Sequence, residues 1–225
     1  MSTWALLVAA GAGERLRAGR PKAFVALAGR PLLAESLERL ERSDWIDHVV
    51  VASAAGWEEP AILVAEELAA EKVAAVVRGG ATRADSVREA MAEVPPEALA
   101  VVVHDAARPL VVEEVLERVL VPLAEGFDGV VPGLPVADTV KRVEGGLVRE
   151  TIDRTGLVAV QTPQAFAAAA LRAALEGDLA DATDCASLVE RRGGRIRVVE
   201  GDSRLLKVTT RDDLRLVELL LAEDR

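Results

Sequence analysis

A cluster of cations follows the first apolar segment of the sequence. The run WALLVAA at residues 4–10 is continuously apolar, as expected of a parallel strand that is buried on both faces. Gly11 and Gly13 then allow a tight turn with exposed amides. The next residues bring the cations Arg15, Arg17, Arg20 and Lys22. Cations beside glycine amides are suited to binding several phosphates, although charged loop residues usually form a plain solvated turn.

The charge of this loop is opposite to that of the chain. The formal net charge is −10, and residues 11–22 hold four cations and one acid, so the loop carries +3 and the remainder −13. A chain this acidic does not attract nucleic acid or an anionic membrane through its overall field. We therefore expect neither as a partner, and we expect the cations to act locally.

The glycine pattern differs from two common nucleotide-binding loops. No Gly-Lys-Ser/Thr triplet follows the glycines, so the segment is not a P-loop. Leu16 stands where a dinucleotide fingerprint has its third glycine, and the second strand runs into Ala54 rather than an acid that could hold a ribose. A nicotinamide-dependent oxidoreductase is therefore disfavoured.

Short valine-rich runs alternate with amphipathic segments along most of the chain. The runs that predict strands are DHVVVAS, KVAAVVR, LAVVVHD and DGVVPG, and those that predict helices are PLLAESLERLERS, TRADSVREAMAEV and VEEVLERVLVPL. This rhythm is typical of a doubly wound, mostly parallel α/β sheet, in which ligands bind beyond the carboxyl ends of the strands. The loops to search are therefore residues 11–22, 79–86 and 105–109.

The rhythm breaks between about Pro132 and Asp153. Two alternating strands, VADTVKRV and LVRETI, are separated by Gly145 and Gly146, which predicts a β-hairpin. An isolated hairpin is marginal in water, so it either folds back on its own domain or protrudes as an arm that grips a second subunit. Regular helix is predicted again from TPQAFAAAALRAALE, followed by a strand at RIRVVEG and a helix from about Thr210.

Length and composition favour a single domain over residues 1–225. The chain is 51% hydrophobic, enough for one sizeable core. The N-terminus lacks a leader pattern, and no window approaches the roughly 20 apolar residues of a membrane span, so we expect a cytoplasmic protein. The single cysteine, Cys185, excludes an internal disulfide and a cysteine-cluster metal site.

Seven segments resemble the 2-C-methyl-D-erythritol 4-phosphate cytidylyltransferase family in order and spacing. They are AAGAGERL with RPK, GGATRADSV, VVVHDAARP, PVADTVKR, DRTGLVAVQTPQAF, TDCASLVE and LLKVTTRDDL. The resemblance covers nearly the whole chain. It implies a Rossmann-like nucleotidyltransferase that moves CMP from CTP to the 4-phosphate of methylerythritol and releases pyrophosphate, in the non-mevalonate route to isoprenoid precursors. A phosphate monoester is already ionised near neutral pH, which fits a sequence without an obvious general base.

The resemblance also implies roles for particular residues. Arg15 and Lys22 would stabilise the charge that grows on the triphosphate, and Asp105 would bind Mg²⁺ or another divalent cation. The nucleotide-binding residues would be Ala9, Ala10, Gly11, Gly80, Ser86, Asp105 and Ala106. The acceptor would be bound by Arg108, Thr139, Arg154, Thr162 and Lys207. Structural roles as a helix residue, a strand residue or a cap are the alternatives for Ser86, Thr139 and Thr162, and His104 is expected to be a structural donor.

By the same resemblance the protein would be a homodimer, in which the hairpin arm completes the neighbour's active site.

Two other functions stay open. A pyrimidine nucleotidyltransferase for another polyol phosphate, such as ribitol 5-phosphate, would keep the nucleotide loops and change the surroundings of Arg154 and Lys207. A non-catalytic domain that senses CTP would need no acceptor site. Ala81 stands where the family often has an acidic residue, beside the base pocket.

Overall fold

The computed structural model describes residues 2–16 and 18–224, so Arg17 of the cationic loop lies outside the described residues. The strands are β1 Thr3–Ala9, β2 Ala26–Leu27, β3 Arg30–Pro31, β4 His48–Ser53, β5 Val73–Arg78, β6 Ala100–Asp105, β7 Gly129–Pro135, β8 Val140–Glu144, β9 Leu147–Ile152, β10 Val158–Val160, β11 Gln164–Ala167 and β12 Ile196–Glu200. The helices are α1 Leu32–Arg42, α2 Glu58–Glu67, α3 Arg83–Met91, α4 Glu113–Leu120, α5 Ala168–Leu175, α6 Cys185–Arg191 and α7 Arg211–Glu223. Short 3₁₀ turns cover Glu14–Leu16, Lys22–Phe24 and Val121–Glu125.

The main sheet has eight strands in the order β10-β7-β11-β6-β1-β4-β5, with β12 also paired to β7. β1 is parallel to β4 and to β6, β4 is parallel to β5, and β12 is parallel to β7. Only β10 and β11, among the described strands of this sheet, pair antiparallel to their neighbours. The predicted doubly wound, mostly parallel sheet is therefore confirmed.

Helices cover both faces of this sheet. Side chains of β1 alternate between two apolar clusters: Ala5 and Leu7 face the cluster that contains residues of α1, α2 and α4, while Trp4 and Leu6 face residues of α3, α5 and α6. Burial on both faces explains why β1 is apolar at successive positions rather than at alternate ones. A third cluster packs α7 beneath the first loop, where Leu16 meets Val217.

The strands that follow β1 along the chain are added to the sheet on both sides of it. β4 and then β5 lie on one side of β1, and β6 lies on the other. In register, Ala9 at the end of β1 is opposite Ser53 of β4, and Val8 is opposite Asp105 of β6. Loops that diverge from adjacent carboxyl ends leave a crevice between them, which is the usual ligand position in such sheets.

The helix predicted from TPQAF is wrong over its first part. Residues Gln164–Ala167 form β11, an antiparallel strand between β6 and β7, and α5 begins only at Ala168. Phe166 is fully buried and packs against Gly129, where a Cβ would lie 2.6 Å from its ring. Residues Gln164–Ala167 fill the space between the parallel strands β6 and β7, and this packing outweighs the helical pattern of the alanines that follow. Helices α2 and α6 were not predicted.

The predicted hairpin is present but shorter than its predicted range of 132–153. Residues up to Pro135 belong to β7 of the main sheet, and the hairpin consists of β8 and β9 in a separate two-stranded sheet. Gly145 and Gly146 form the turn with φ of 56° and 79°. Leu147 and Val148 are 64% and 60% exposed. Within the described residues, no helix combines the length and apolarity needed to cross a membrane.

Candidate active site

A cavity of about 310 Å³ lies in the crevice beside β1 and β6. Of the predicted site residues, those that line it are Ala9, Ala10, Gly11, Lys22, Gly80, Ser86, Asp105, Ala106 and Lys207. They come from four separate parts of the chain: the first loop, the loop before α3, the end of β6 and the loop before α7. The sheet topology therefore brings together residues that are up to 198 positions apart, from Ala9 to Lys207.

The first loop holds Lys22 in a fixed position. The Lys22 backbone N–H donates to the carbonyl of Gly11 over 3.0 Å. Gly13 has φ of 73°, and a Cβ there would lie 3.0 Å from the Lys22 backbone nitrogen. After Lys22 the 3₁₀ turn buries Phe24, whose ring lies 4.7 Å from that of Trp57. The lysine therefore leaves an anchored backbone and reaches into the cavity.

Lys22 is crowded by other cations. Burial lowers the pKa of Lys22 most, and the charge of Lys207 lowers it further, to about 8 in all. The charges of Arg15 and Arg108 act in the same direction, while Asp105 opposes them. Several cations facing one cavity is an arrangement that a polyphosphate would stabilise.

Asp105 ends β6 and binds two cations. Its Oδ1 accepts from Nε of Arg83 over 2.9 Å, and its Oδ2 accepts from Nζ of Lys207 over 2.5 Å. The Asp105 side chain is only 8% exposed. Burial favours the protonated acid, but Arg83 and Lys207 outweigh it and hold the pKa of Asp105 well below its usual range. Asp105 is therefore an anion at any working pH.

Arg83 is a residue of this site to which the sequence did not assign a role. It is the first residue of α3, because the Thr82 side chain and Asp85 form a reciprocal capping box that starts the helix there. Its Nη1 contacts Sγ of Cys185 over 3.5 Å, and Nη2 is a buried donor without a hydrogen-bond partner among the described residues. The ion pair with Asp105 spans 22 positions of the sequence. Burial opposes its charge, but Asp105 keeps the pKa of Arg83 above its ordinary value.

A chain of hydrogen bonds supports Asp105 from below. Its backbone N–H donates to Oγ1 of Thr162, and that hydroxyl lies 3.2 Å from Nδ1 of His104. On the other side of the ring, Nε2 lies 3.0 Å from the carbonyl of Arg108, which can only accept, so Nε2 carries the proton. His104 is fully buried, and this burial lowers its pKa to about 4. The expectation of a structural histidine agrees with this geometry.

The loop before α3 is closed by Ser86. Its Oγ accepts from the backbone N–H of Gly80 over 3.1 Å and donates to the carbonyl of Thr82 over 2.9 Å. Neither glycine at 79 and 80 has room for a side chain: a Cβ on Gly79 would lie 2.5 Å from Ala10, and one on Gly80 would lie 2.3 Å from Asp85. The part of the cavity wall that this loop forms, and that would contact a nucleotide base, is therefore mostly backbone, with Ala81 beside it.

The loop before α7 positions Lys207. The side-chain amide of Gln161 accepts from the N–H of Asp202 and donates to its carbonyl, over 3.0 and 2.9 Å. The guanidinium of Arg108 donates to the carbonyl of Leu205. The backbone N–H of Val208 donates to Ala107 over 2.8 Å. The loop is thus bound to the segments that follow β6 and β10.

The other predicted residues do not line the cavity. Arg108 and Thr162 lie behind Asp105, in the hydrogen bonds just described. Arg15 is exposed on the 3₁₀ turn of the first loop, close enough for its charge to act on Lys22. Thr139 and Arg154 are exposed at the base of the hairpin, where Nη1 of Arg154 donates to the carbonyl of Val136 over 3.2 Å.

The donor set fits a magnesium ion that is held mainly by its substrate. Among residues 2–16 and 18–224, no group of three His, Cys, Asp or Glu side chains could hold a metal ion. Asp105 is a single buried carboxylate that faces a cavity lined by cations and backbone amides. Mg²⁺ is commonly bound by one or two carboxylates together with phosphate oxygens and water. The site is suited to that mode and not to an all-protein metal cage.

The family profile of 2-C-methyl-D-erythritol 4-phosphate cytidylyltransferase matches residues 3–223. The chain belongs to this cytidylyltransferase family. A 2-C-methyl-D-erythritol 4-phosphate cytidylyltransferase of Saccharopolyspora erythraea is 49% identical over 228 residues, covering 99% of this chain and all of the relative. One from Nocardia farcinica is 45% identical and covers 98% of this chain and 94% of the relative.

Solved structures of the cytidylyltransferase family have the same fold. The crystal structure of the enzyme named 2-C-methyl-D-erythritol 4-phosphate cytidylyltransferase from Thermus thermophilus superposes with a TM-score of 0.78 at 34% identity, covering 96% of this chain and 98% of that one. The predicted family, the Rossmann-like fold and the nucleotidyltransferase class are confirmed by these matches. The roles of individual residues stay predictions.

Proposed function

We propose that this chain transfers CMP from CTP to 2-C-methyl-D-erythritol 4-phosphate, with release of pyrophosphate. One observation carries the proposal: Lys22, Lys207 and Asp105, from three distant segments, line one cavity at the point where the chain leaves β1 toward opposite edges. Family membership supplies the substrates, and the cavity supplies cations for a polyphosphate and one carboxylate for a metal.

The reaction needs positioning more than proton transfer. An ionised oxygen of the acceptor phosphate attacks the α-phosphorus of CTP and forms a new P–O bond. The bond from the α-phosphorus to the bridging oxygen breaks, and pyrophosphate leaves with that electron pair. Since the second pKa of a phosphate monoester is about 6, the attacking oxygen carries no proton at neutral pH. His104 is not required as a base, which agrees with its burial behind Asp105.

Lys22 and Arg15 are proposed to stabilise the charge that grows on the triphosphate. Lys22 projects from an anchored backbone into the cavity, so its side chain starts from a fixed position before the substrate binds. Arg15 lies on an exposed turn of the same loop. If both act chiefly in the transition state, replacing either with alanine lowers kcat by about 100-fold, with a smaller rise in KM for CTP.

Asp105 is proposed to bind the divalent cation, with Mg²⁺ the favoured ion. When bound, such an ion neutralises phosphate charge and acts as a Lewis acid at the phosphoryl group. Arg83 holds the carboxylate itself, and the hydrogen bond from the Asp105 N–H to Oγ1 of Thr162 holds its backbone. The nucleotide's base and sugar would contact the backbone around Ala9, Ala10 and Gly80.

The acceptor site is proposed to be shared between two subunits of a homodimer. Lys207 lines this cavity and Arg108 and Thr162 lie behind Asp105, whereas Thr139 and Arg154 are exposed at the base of the hairpin. The hairpin is largely exposed and carries Val143, Leu147 and Val148 on its surface. An arm that packs on a two-fold related subunit would cover these apolar side chains and bring Thr139 and Arg154 to the neighbour's cavity. A cytoplasmic location stays a prediction.

The test is pyrophosphate release measured with every pair of nucleotide and acceptor. CTP, UTP and ATP are each combined with methylerythritol 4-phosphate, ribitol 5-phosphate or no acceptor, with Mg²⁺ present. The proposal predicts release with CTP and methylerythritol 4-phosphate, and background release without acceptor. Preference for ribitol 5-phosphate would indicate the other transferase, and CTP binding without release under any combination would indicate a sensing domain.

A further inference from the structure

Both oxygens of Asp105 are bound to cations that differ in how firmly they are held. Arg83 is the first residue of α3, its guanidinium also contacts Cys185, and its side chain is 23% exposed. Lys207 lies in the segment between β12 and α7, which has no regular secondary structure, and its side chain is 38% exposed. The single hydrogen bond given by its Nζ, within the described part of the chain, is the 2.5 Å bond to Oδ2.

Arg83 is therefore the fixed partner of the carboxylate and Lys207 the exchangeable one. The Lys207 side chain rotates about four bonds and carries a single point charge, so it can leave Oδ2 without disturbing a second contact. The buried Asp105 needs a cation on this oxygen, because an unpaired charge on a side chain that is 8% exposed is costly. Whatever replaces the ammonium must itself be positively charged.

We propose that the ammonium of Lys207 and a divalent cation compete for Oδ2 of Asp105, so that binding of the metal releases Lys207 toward the acceptor phosphate. The inference rests on the proposed function, in which Asp105 binds the metal and Lys207 the acceptor. It adds that the two roles are coupled through one oxygen. Asp105 neutralises the charge of the ammonium while the two are in contact, so a metal that takes Oδ2 frees an uncompensated cation for the second substrate.

The surroundings of Lys207 support an exchange within the cavity. Both Lys207 and Asp105 line it, so a displaced ammonium stays inside the site. Lys22 and Lys207 line the same cavity, where their like charges repel one another. A metal ion that arrives with anionic phosphates brings the negative charge that keeps both ammonium groups in place.

The competition predicts that removing a cation strengthens metal binding. Mn²⁺ binding to the protein alone, without nucleotide or acceptor, is measured by electron paramagnetic resonance for the wild type, Lys207→Met, Lys207→Arg and Asp105→Asn. The titration extends to millimolar Mn²⁺, because one carboxylate without phosphate oxygens holds the ion weakly. Lys207→Met is expected to bind Mn²⁺ roughly two- to fivefold more tightly than the wild type, which is the strength of a partly exposed ion pair. Lys207→Arg keeps the charge and should stay close to the wild type. Asp105→Asn should lose the site.

Lys72→Met is the matched control, since Lys72 donates to the carbonyl of Ser43, far from the cavity in the fold, and its removal should leave Mn²⁺ affinity unchanged. Circular dichroism and a melting curve verify that each variant is folded. Unchanged or weaker Mn²⁺ binding in Lys207→Met would overturn the proposal. So would a tightening that persists in the double variant with Lys207→Met and Asp105→Asn, because the binding would then not depend on Asp105. Because no substrate is present, these outcomes are separate from failure of the transferase assay.

Discussion

The backbone N–H of Asp105 donates to Oγ1 of Thr162 over 3.1 Å, which ties the end of β6 to the segment just before β11. The same hydroxyl contacts His104, so one small side chain joins the carboxylate's backbone to the buried histidine. The bond explains how a residue predicted to contact the acceptor also holds the proposed metal ligand in place.

Replacing Thr162 with valine should therefore affect both stability and catalysis. The buried N–H of Asp105 loses its acceptor, which costs about 1–3 kcal/mol. We expect a melting temperature lower by roughly 3–10 °C, and a lower kcat because Asp105 is displaced. Thr162→Ser keeps the hydroxyl and should retain most of both. Equal melting temperatures for the wild type and Thr162→Val, measured by calorimetry, would contradict the role of this bond.

Gly13→Ala tests the anchoring of Lys22. A Cβ at this position would lie 3.0 Å from both the backbone nitrogen and the Cβ of Lys22, so the lysine must shift. We expect kcat/KM for CTP to fall by about tenfold or more, in line with the loss of one oriented electrostatic contact.

Gly19→Ala is the control for Gly13→Ala. Gly19 has a similar φ of 68°, but a Cβ there would have no atom of residues 2–16 and 18–224 within 4 Å. Both variants therefore share a backbone strain of about 1–2 kcal/mol, and only Gly13→Ala disturbs Lys22. Steady-state rates that fall equally in the two variants would show that strain alone, and not the position of Lys22, matters.

The lowered pKa of Lys22 predicts how CTP binding depends on pH. With a pKa of about 8, set mainly by burial, Lys22 is charged below pH 8 and increasingly neutral above it. The charged form is the one that stabilises a triphosphate, so kcat/KM for CTP should fall above pH 8 by up to about tenfold per pH unit, and binding at pH 8 should take up a proton. Lys22→Arg keeps its charge and should flatten the profile. Calorimetry in buffers of different ionisation enthalpy counts the proton, and release of a proton near that pH would be the wrong sign.

Much of the fold could be predicted from the sequence because its signals are local. The valine runs DHVVVAS, KVAAVVR, LAVVVHD and DGVVPG form β4, β5, β6 and β7, and all four are strands of the main sheet. The antiparallel strand β11 could not be found in this way. QAFA precedes a run of alanines with helical pattern, and only the space between β6 and β7, filled by Phe166, makes it a strand.

Some residues of the candidate site likewise have a local sequence signal, and others do not. Lys22 and Asp105 follow or end strands, where residue type and position indicate ligand binding. Arg83 had no such signal, because an arginine at the start of a helix is common. It contacts Asp105, which lies 22 residues away in sequence, only in the folded chain. The pairing of Lys207 with Asp105 spans 102 residues and depends on how the loop before α7 returns to the sheet.

Mixing two inactive variants tests whether the site is shared between subunits. Lys22→Ala and Arg154→Ala homodimers should each be nearly inactive. After subunit exchange, a mixed dimer has one site with both lesions and one with intact Lys22 and Arg154 from different chains. Random pairing makes about half the dimers mixed, so recovery of roughly a quarter of wild-type activity is expected from two-fold symmetry. No recovery, although exchange is demonstrated by mass spectrometry, would show that the arm acts on its own chain.

The most direct test of the proposed reaction follows the oxygen of the acceptor phosphate. Methylerythritol 4-phosphate is prepared with ¹⁸O in its non-bridging phosphate oxygens and is incubated with the protein, CTP and Mg²⁺, and the products are observed by ³¹P nuclear magnetic resonance. If the acceptor oxygen attacks the α-phosphorus of CTP, the label appears in the new diphosphate bridge and none appears in the released pyrophosphate. Label in the pyrophosphate, or an unlabelled bridge, would contradict the account.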